Sequence, residues 1–216
     1  DSSYVVAGDR RSPELYLKLA SRLGWRWIHI YDAVGINVNQ ETKGKYEWTD
    51  SDIFVDLCIA NNLEPMALLT SHGNYNTPYF KAQWLLTGQP SKGAGGGRGK
   101  GFKLPNLGEY EKFCSEAASH YKDKIVYWES WNEPGVKMAE DEYLPLLKAF
   151  YSGIKKGNPN AKVLGLTGTW DAEGDLYGWV KKCLKLGAGS YMDIIAIHGY
   201  HVLDRDYVAQ VKQIAK

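Results

Sequence analysis

Cysteine is scarce in this chain: Cys58, Cys114 and Cys183 are the three present in 216 residues, and they lie far apart. No CxxC occurs and no Cys stands at metal-ligand spacing from a His, which argues against a disulfide framework or a zinc site. Each falls in a helical pattern, where a buried thiol is the expected state, so the redox compartment stays open. Long apolar runs are also missing. None approaches the ~18 residues that a membrane span needs. An excess of one charge is missing too: 26 basic and 25 acidic residues give a net charge of +1. That balance offers no polybasic surface for nucleic acid or membrane, and the short "KDK" and "KK" runs read as solvated helix faces. No GxGxxG follows an early strand, which weighs against a dinucleotide-binding enzyme. "GAGGGRGKG" (93–101) lacks a preceding strand and a GK[ST] ending, and reads as a loop tip. Phenylalanine is the last shortage, with five against eight Trp and fifteen Tyr. Large rings with a polar handle suit a groove that stacks flat, hydroxyl-rich ligands, and they equally serve a core.

What is present alternates. "SPELYLKLASRLG" (12–24) has a Ser cap, Pro in the first turn and Gly at the stop, the marks of a helix. "WRWIHIYD" (25–32) alternates aromatic and β-branched residues, the marks of a strand. Helices are predicted over 49–63, 106–123, 141–159 and 175–187, and strands over 64–71, 124–132, 161–168 and 191–200; "DRDYVAQVKQIAK" (204–216) opens a last helix. Five helix–strand pairs closed by a sixth helix predict a single α/β domain over 1–216 with a parallel sheet. A doubly wound open sheet and a (β/α)8 TIM barrel both satisfy this pattern. Polar and aromatic residues collect where strands end: Tyr31 and Asp32, Ser71 and His72, Asn132 and Glu133, Thr167 with Trp170, His198 with Tyr200 and His201. A barrel builds its active site on that face. The Gly-, Tyr- and Trp-rich segment 72–105 is expected to form a wall or lid beside it.

The densest of these strand ends is "IVYWESWNEPG" (125–135). A carboxyl at a strand end, beside a Trp and before a Pro that stiffens the turn, suits a proton donor in glycosidic bond cleavage. That chemistry takes two carboxyl groups flanking the bond, one giving a proton to the leaving oxygen and one attacking or activating water. Burial and aromatic neighbours raise a donor's pKa. Asn132 beside it can hydrogen-bond a sugar hydroxyl.

"YWESWNEPG" resembles the fourth-strand motif of the clan A glycoside hydrolases, retaining (β/α)8-barrel enzymes, with families 39 and 5 and their relatives as the nearest likeness. "ELYLKLASRLGWRWIHIYD" looks like their first helix and second strand. "KGKYEWTDSDIFVDLCIANNLEPMALL" looks like the segment up to the third strand, and "DIIAIHGY" like the sixth. The resemblance implies Glu133 as general acid/base and Asn132 as the amide that binds the 2-hydroxyl. It implies His198 and Tyr200 as lining residues, and His72 and Asn74 as contacts to the sugar nearest the cleavage point. Trp131 and Trp170 are expected to shape the substrate site, Trp170 as a stacking platform. A carbohydrate substrate is implied, without metal or organic cofactor, and a secreted or periplasmic setting suits such an enzyme.

Two departures stand out. His29 occupies a second-strand position where these enzymes commonly carry Arg. The nucleophile should be a Glu on the seventh strand; at ~30 residues per βα unit it is expected near or beyond position ~230. Only "YVVA" (4–7) is available for a first strand, and the opening "DSSYVV" has no initiator Met, as in a processed form or a piece of a longer chain. The expectation is therefore an incomplete barrel, about strands 1 or 2 through 6, truncated before the seventh strand and completed by remaining chain or a companion polypeptide. Glu129 is no substitute nucleophile: four residues earlier on the same strand, it lies about 13 Å away in extended chain, against the ~5 Å that retention requires. A non-catalytic carbohydrate-binding barrel or an inactive fragment is the alternative.

Overall fold

The computed structural model describes residues 13–31, 33–69, 82–93, 103–167 and 176–197. Its frame is a five-stranded parallel sheet of β1 (Trp27–Tyr31), β2 (Glu64–Leu68), β5 (Tyr127–Glu129), β6 (Lys162–Gly165) and β7 (Ile194–Ile195), in that spatial order. Chain order and spatial order agree without reversal. A doubly wound sheet reverses its order at a switch point; none of the described strands does so. Helices α1 (Pro13–Arg22), α3 (Thr49–Ala60), α4 (Leu107–His120), α6 (Glu140–Gly157) and α7 (Leu176–Lys185) match the predicted helices to within a few residues. Short helices α2 (Ile36–Asn39) and α5 (Pro134–Lys137) sit in the connections after β1 and β5.

Segment 72–105 carries structure that its Gly-rich composition concealed: strands β3 (Leu86–Pro90) and β4 (Lys103–Pro105) pair antiparallel. The predicted strand over 191–200 begins late, because Ala188–Tyr191 form a 3₁₀ turn. The predicted last helix, 204–216, and "YVVA" lie outside the described residues.

Register divides the sheet into two faces. Ile30, Ala67, Trp128 and Val163 join one core with Val55, Cys58, Phe113, Cys114, Phe150 and Ile154 of the helices. Neighbours along a strand point oppositely, so the other face carries the rows His29–Met66–Tyr127–Lys162 and Tyr31–Leu68–Glu129–Leu164–Ile194. All three cysteines are buried and free. Burial pushes the Cys58 thiol up to about 12 and raises those of Cys114 and Cys183 well above the ordinary range, which leaves them as packing groups. Among the described residues no helix is long and apolar enough to cross a membrane.

Just before β7, Asp193 ties the sheet to α6. Its carboxylate accepts from Lys155 Nζ and from the Val163 N–H, both at 2.8 Å. Burial alone would raise its pKa, but the Lys155 and Val163 bonds and the nearby lysine charges outweigh it and hold the group below its ordinary value. A depressed carboxyl stabilises the fold above its unfolded pKa of about 3.9, and that contribution disappears as pH falls through the lower, folded value. Lys155→Met is therefore expected to cost ~1 kcal/mol at pH 7. In urea titrations the gap from the parent should narrow below about pH 4. A gap independent of pH would contradict the linkage.

Candidate active site at the strand ends

The motif of interest leaves the sheet at its middle strand. After Glu129 the ladder continues briefly, with Ser130 N–H donating to Leu164 O at 3.0 Å and Leu69 N–H to Glu129 O at 3.0 Å. The chain then turns. Glu133 adopts a left-handed conformation, φ 48° and ψ 55°, and caps α5, whose first residue is Pro134. A right-handed helical conformation is disfavoured before proline, and a non-glycine residue in the left-handed region costs ~1–3 kcal/mol. Such strain persists only where the surroundings over-determine the backbone. Leu166, just past β6, is also left-handed, at φ 59°.

The surroundings are specific. Tyr110 of α4 donates its hydroxyl to Leu69 O (2.6 Å) and approaches Ser130 O (3.1 Å). Tyr143 of α6 meets Ser130 Oγ at 2.8 Å and accepts from Leu166 N–H at 3.0 Å. Burial raises the Tyr143 phenol above its ordinary value, so it stays a neutral hydroxyl. At the far end of the turn, Ser91 Oγ donates to Lys137 O at 2.9 Å, and Trp179 Nε1–H donates to Met138 O at 3.0 Å. The residue just past β3 and helix α7 thus hold α5 from two sides.

Asn132 and Glu133 are half-buried. Trp131, expected to line the substrate site, is 1% exposed and packs edge-on against Tyr110 in the core, so it supports the turn from beneath. Four of the other described tryptophans also belong to the core or pack on it. Trp128 and Trp179 are buried, Trp48 and Trp84 are half-buried against the core, and Trp25 and Trp27 are exposed near the start of β1. Trp48 stacks on His120 at 4.7 Å and on Tyr46 at 5.8 Å. Much of the tryptophan and tyrosine excess is therefore core and hydroxyl bridging. His72, Asn74, Trp170, His198, Tyr200 and His201 lie outside the described residues.

Sequence reasoning missed a pair on the face away from the helices. His29 Nε2 meets Glu129 Oε2 at 2.8 Å, and the Glu129 side chain is only 4% exposed. Its Oε1 has no hydrogen-bond partner among the described residues. The two residues are 100 apart in sequence. Alternation within "WIHIY" and "YWE" places both on one face, but only the register brings them together. His29 is thus bonded to the strand that carries the motif. His29→Ala would leave a buried carboxyl lacking this donor, at an expected cost of ~2 kcal/mol, while His29→Gln should retain most of the stability. Equal loss from both in thermal melts would rule out the hydrogen bond as the cause. Among the described residues no group of three or more His, Cys, Asp or Glu is placed to hold a metal.

No family model matches the chain, and no curated protein sequence does. Solved structures do. A family 39 glycoside hydrolase from the gut symbiont Bacteroides cellulosilyticus WH2 superposes with a TM-score of 0.62 at 23% identity, over 89% of this chain and 36% of its own. Xylanase 10B from Thermotoga petrophila RKU-1, solved with xylobiose, gives 0.60 at 16% identity, over 94% and 62%. The exo-β-1,4-mannosidase Op5Man5 from Opitutaceae bacterium strain TAV5 gives 0.56 at 14%, over 76% and 29%. The chain thus spans between 29% and 62% of the length of these structures. At such identities the likeness is one of fold: helices around a parallel sheet, as in the barrels of glycoside hydrolases.

Proposed function

We propose that the chain forms part of a (β/α)8 barrel that hydrolyses O-glycosidic bonds in oligo- or polysaccharides with retention of configuration. The observation that carries the reading is the Asn132-Glu133-Pro134 turn at the end of the middle strand, with its carboxyl-bearing residue held in a strained backbone by side chains from other elements. Active-site strain of this kind is expected where geometry must be pre-set. The fold likeness to glycoside hydrolases supports it.

In this reading a second carboxylate, supplied from outside the described residues, attacks the anomeric carbon. The glycosidic C–O bond breaks, and Glu133 gives its proton to the departing oxygen. Glu133, now ionised, takes a proton from water, whose oxygen attacks the same carbon and releases the carboxylate. Asn132 would hold the 2-hydroxyl, where contacts strengthen as positive charge develops on the ring. His72, Asn74, Trp170, His198 and Tyr200 are proposed to complete the sugar site, with Trp131 acting from beneath.

The test is hydrolysis of β-1,4-linked xylo- and manno-oligosaccharides, followed by NMR from the first turnover. The first-formed sugar should have the anomeric configuration of the substrate; the inverted anomer would refute retention. The alternative reading is a carbohydrate-binding barrel without catalysis. Calorimetric binding without product would favour it.

A further inference from the structure

We propose that Tyr143 is the positioning residue of the Glu133 turn, its hydroxyl joining two left-handed strand ends into one unit. This rests on the reading of Glu133 as proton donor. Ser130 lies three residues before Glu133, and Leu166 directly follows β6. Both are buried, at 0% and 1% exposure, and both turn on the same phenol oxygen: Leu166 N–H donates to it at 3.0 Å, and the Ser130 hydroxyl lies 2.8 Å away. The ring cannot drift, because its hydroxyl end is fixed by these two bonds and its body packs on Trp179 with centroids 5.0 Å apart.

The consequence is mechanical. A left-handed residue followed by proline has nearby, less strained alternatives. What selects the strained one is the set of fixed points around it: Tyr110 on the Ser130 carbonyl, Tyr143 on the Ser130 hydroxyl, and Ser91 and Trp179 beyond α5. Tyr110 ties Ser130 to the end of β2 through Leu69 O, and Tyr143 ties it to the left-handed end of β6. Removing the Tyr143 hydroxyl leaves a buried hydroxyl and a buried N–H without this bond, and Glu133 is released toward ordinary backbone conformations. A misplacement of about 1 Å at a catalytic group costs on the order of 100-fold in rate. That cost falls on the step in which Glu133 must deliver a proton.

Tyr143→Phe keeps the ring, and Ser130→Ala removes the partner hydroxyl; thermal melts verify that each variant folds. The backbone of Glu133 is read by NMR in the present chain through the one-bond Cα–Hα coupling, which separates positive from negative φ. The parent should show positive φ, and both variants should lose or average it. Retention of positive φ in both folded variants overturns the proposal, whatever the activity. In an active preparation, kcat/KM for an unactivated xyloside should fall roughly 10- to 100-fold in Tyr143→Phe. A dinitrophenyl glycoside, whose leaving group needs no proton, should change little in its first step. Equal losses on both substrates would mean a structural role only and would overturn the positioning claim. If the parent hydrolyses neither substrate, the glycosidase reading fails, and the coupling measurement still decides whether Tyr143 sets the turn.

Discussion

Glu133→Ala is expected to lower kcat/KM for glycosides with poor leaving groups by ~10³-fold, within the 10²–10⁴ that general acid catalysis supplies. An alkoxide leaving group departs slowly without a proton, and Glu133 is the carboxyl that the strand-end turn presents. The same substitution should spare the first step for a dinitrophenyl glycoside, because that phenolate is already stable. The second step should then become limiting, since no base remains to activate water, and a burst of phenolate would precede slow turnover. A small anionic nucleophile such as azide needs no base and should restore turnover by capturing the glycosyl-enzyme. Rate against leaving-group pKa should thus be steep in the variant and shallow in the parent. Unchanged hydrolysis of oligosaccharides would remove Glu133 from the mechanism.

The second large effect is on stability. Gly153→Ala in α6 is expected to destabilise the fold by ~3 kcal/mol, although alanine is the better helix former by ~1 kcal/mol. A Cβ at Gly153 would sit 2.4 Å from Glu111 O and 2.8 Å from Cys114 Cβ. One turn on, a Cβ at Gly157 would lie 2.2 Å from Ser115 O. Helices α4 and α6 therefore meet closely along the Gly153–Gly157 face, and the obstructing atoms are main-chain oxygens and a Cβ, which no rotamer change can move. For a chain of this size the cost should appear as a fall in Tm of about 10 °C. These two helices also carry Tyr110 and Tyr143, so forcing them apart should loosen the Ser130 bridge. Thermal melts read the first effect and the Glu133 coupling the second. A neutral or higher Tm would show that the helix pair yields easily.

The helix–strand order was legible because periodicity and turn chemistry are local. "SPELYLKLASRLG" carries its own start and stop, and α1 spans Pro13–Arg22. The strand-end position of Asn132 and Glu133 was legible too, since an apolar run stopped by Asn-Glu-Pro can hardly continue as a strand. The β3–β4 hairpin was not, because its strands are short and separated by glycines that carry no alternation. The division of the aromatics between core and groove was not legible either. Composition cannot distinguish a tyrosine that stacks on a ligand from one whose hydroxyl ends a sheet, and Tyr110 and Tyr143 are of the second kind.

By itself the sequence determined the alternation of elements, the burial of its three cysteines and the place of the Glu133 turn. Each follows from residues within a few positions of one another. Tertiary structure alone decided the left-handed backbone of Glu133 and Leu166, the His29–Glu129 bond, the Tyr143 bridge and the glycine contact between α4 and α6. In the contacts the partners lie from 13 to 100 residues apart. They meet only because strand register and helix packing carry them to the same point, and no local pattern encodes that distance.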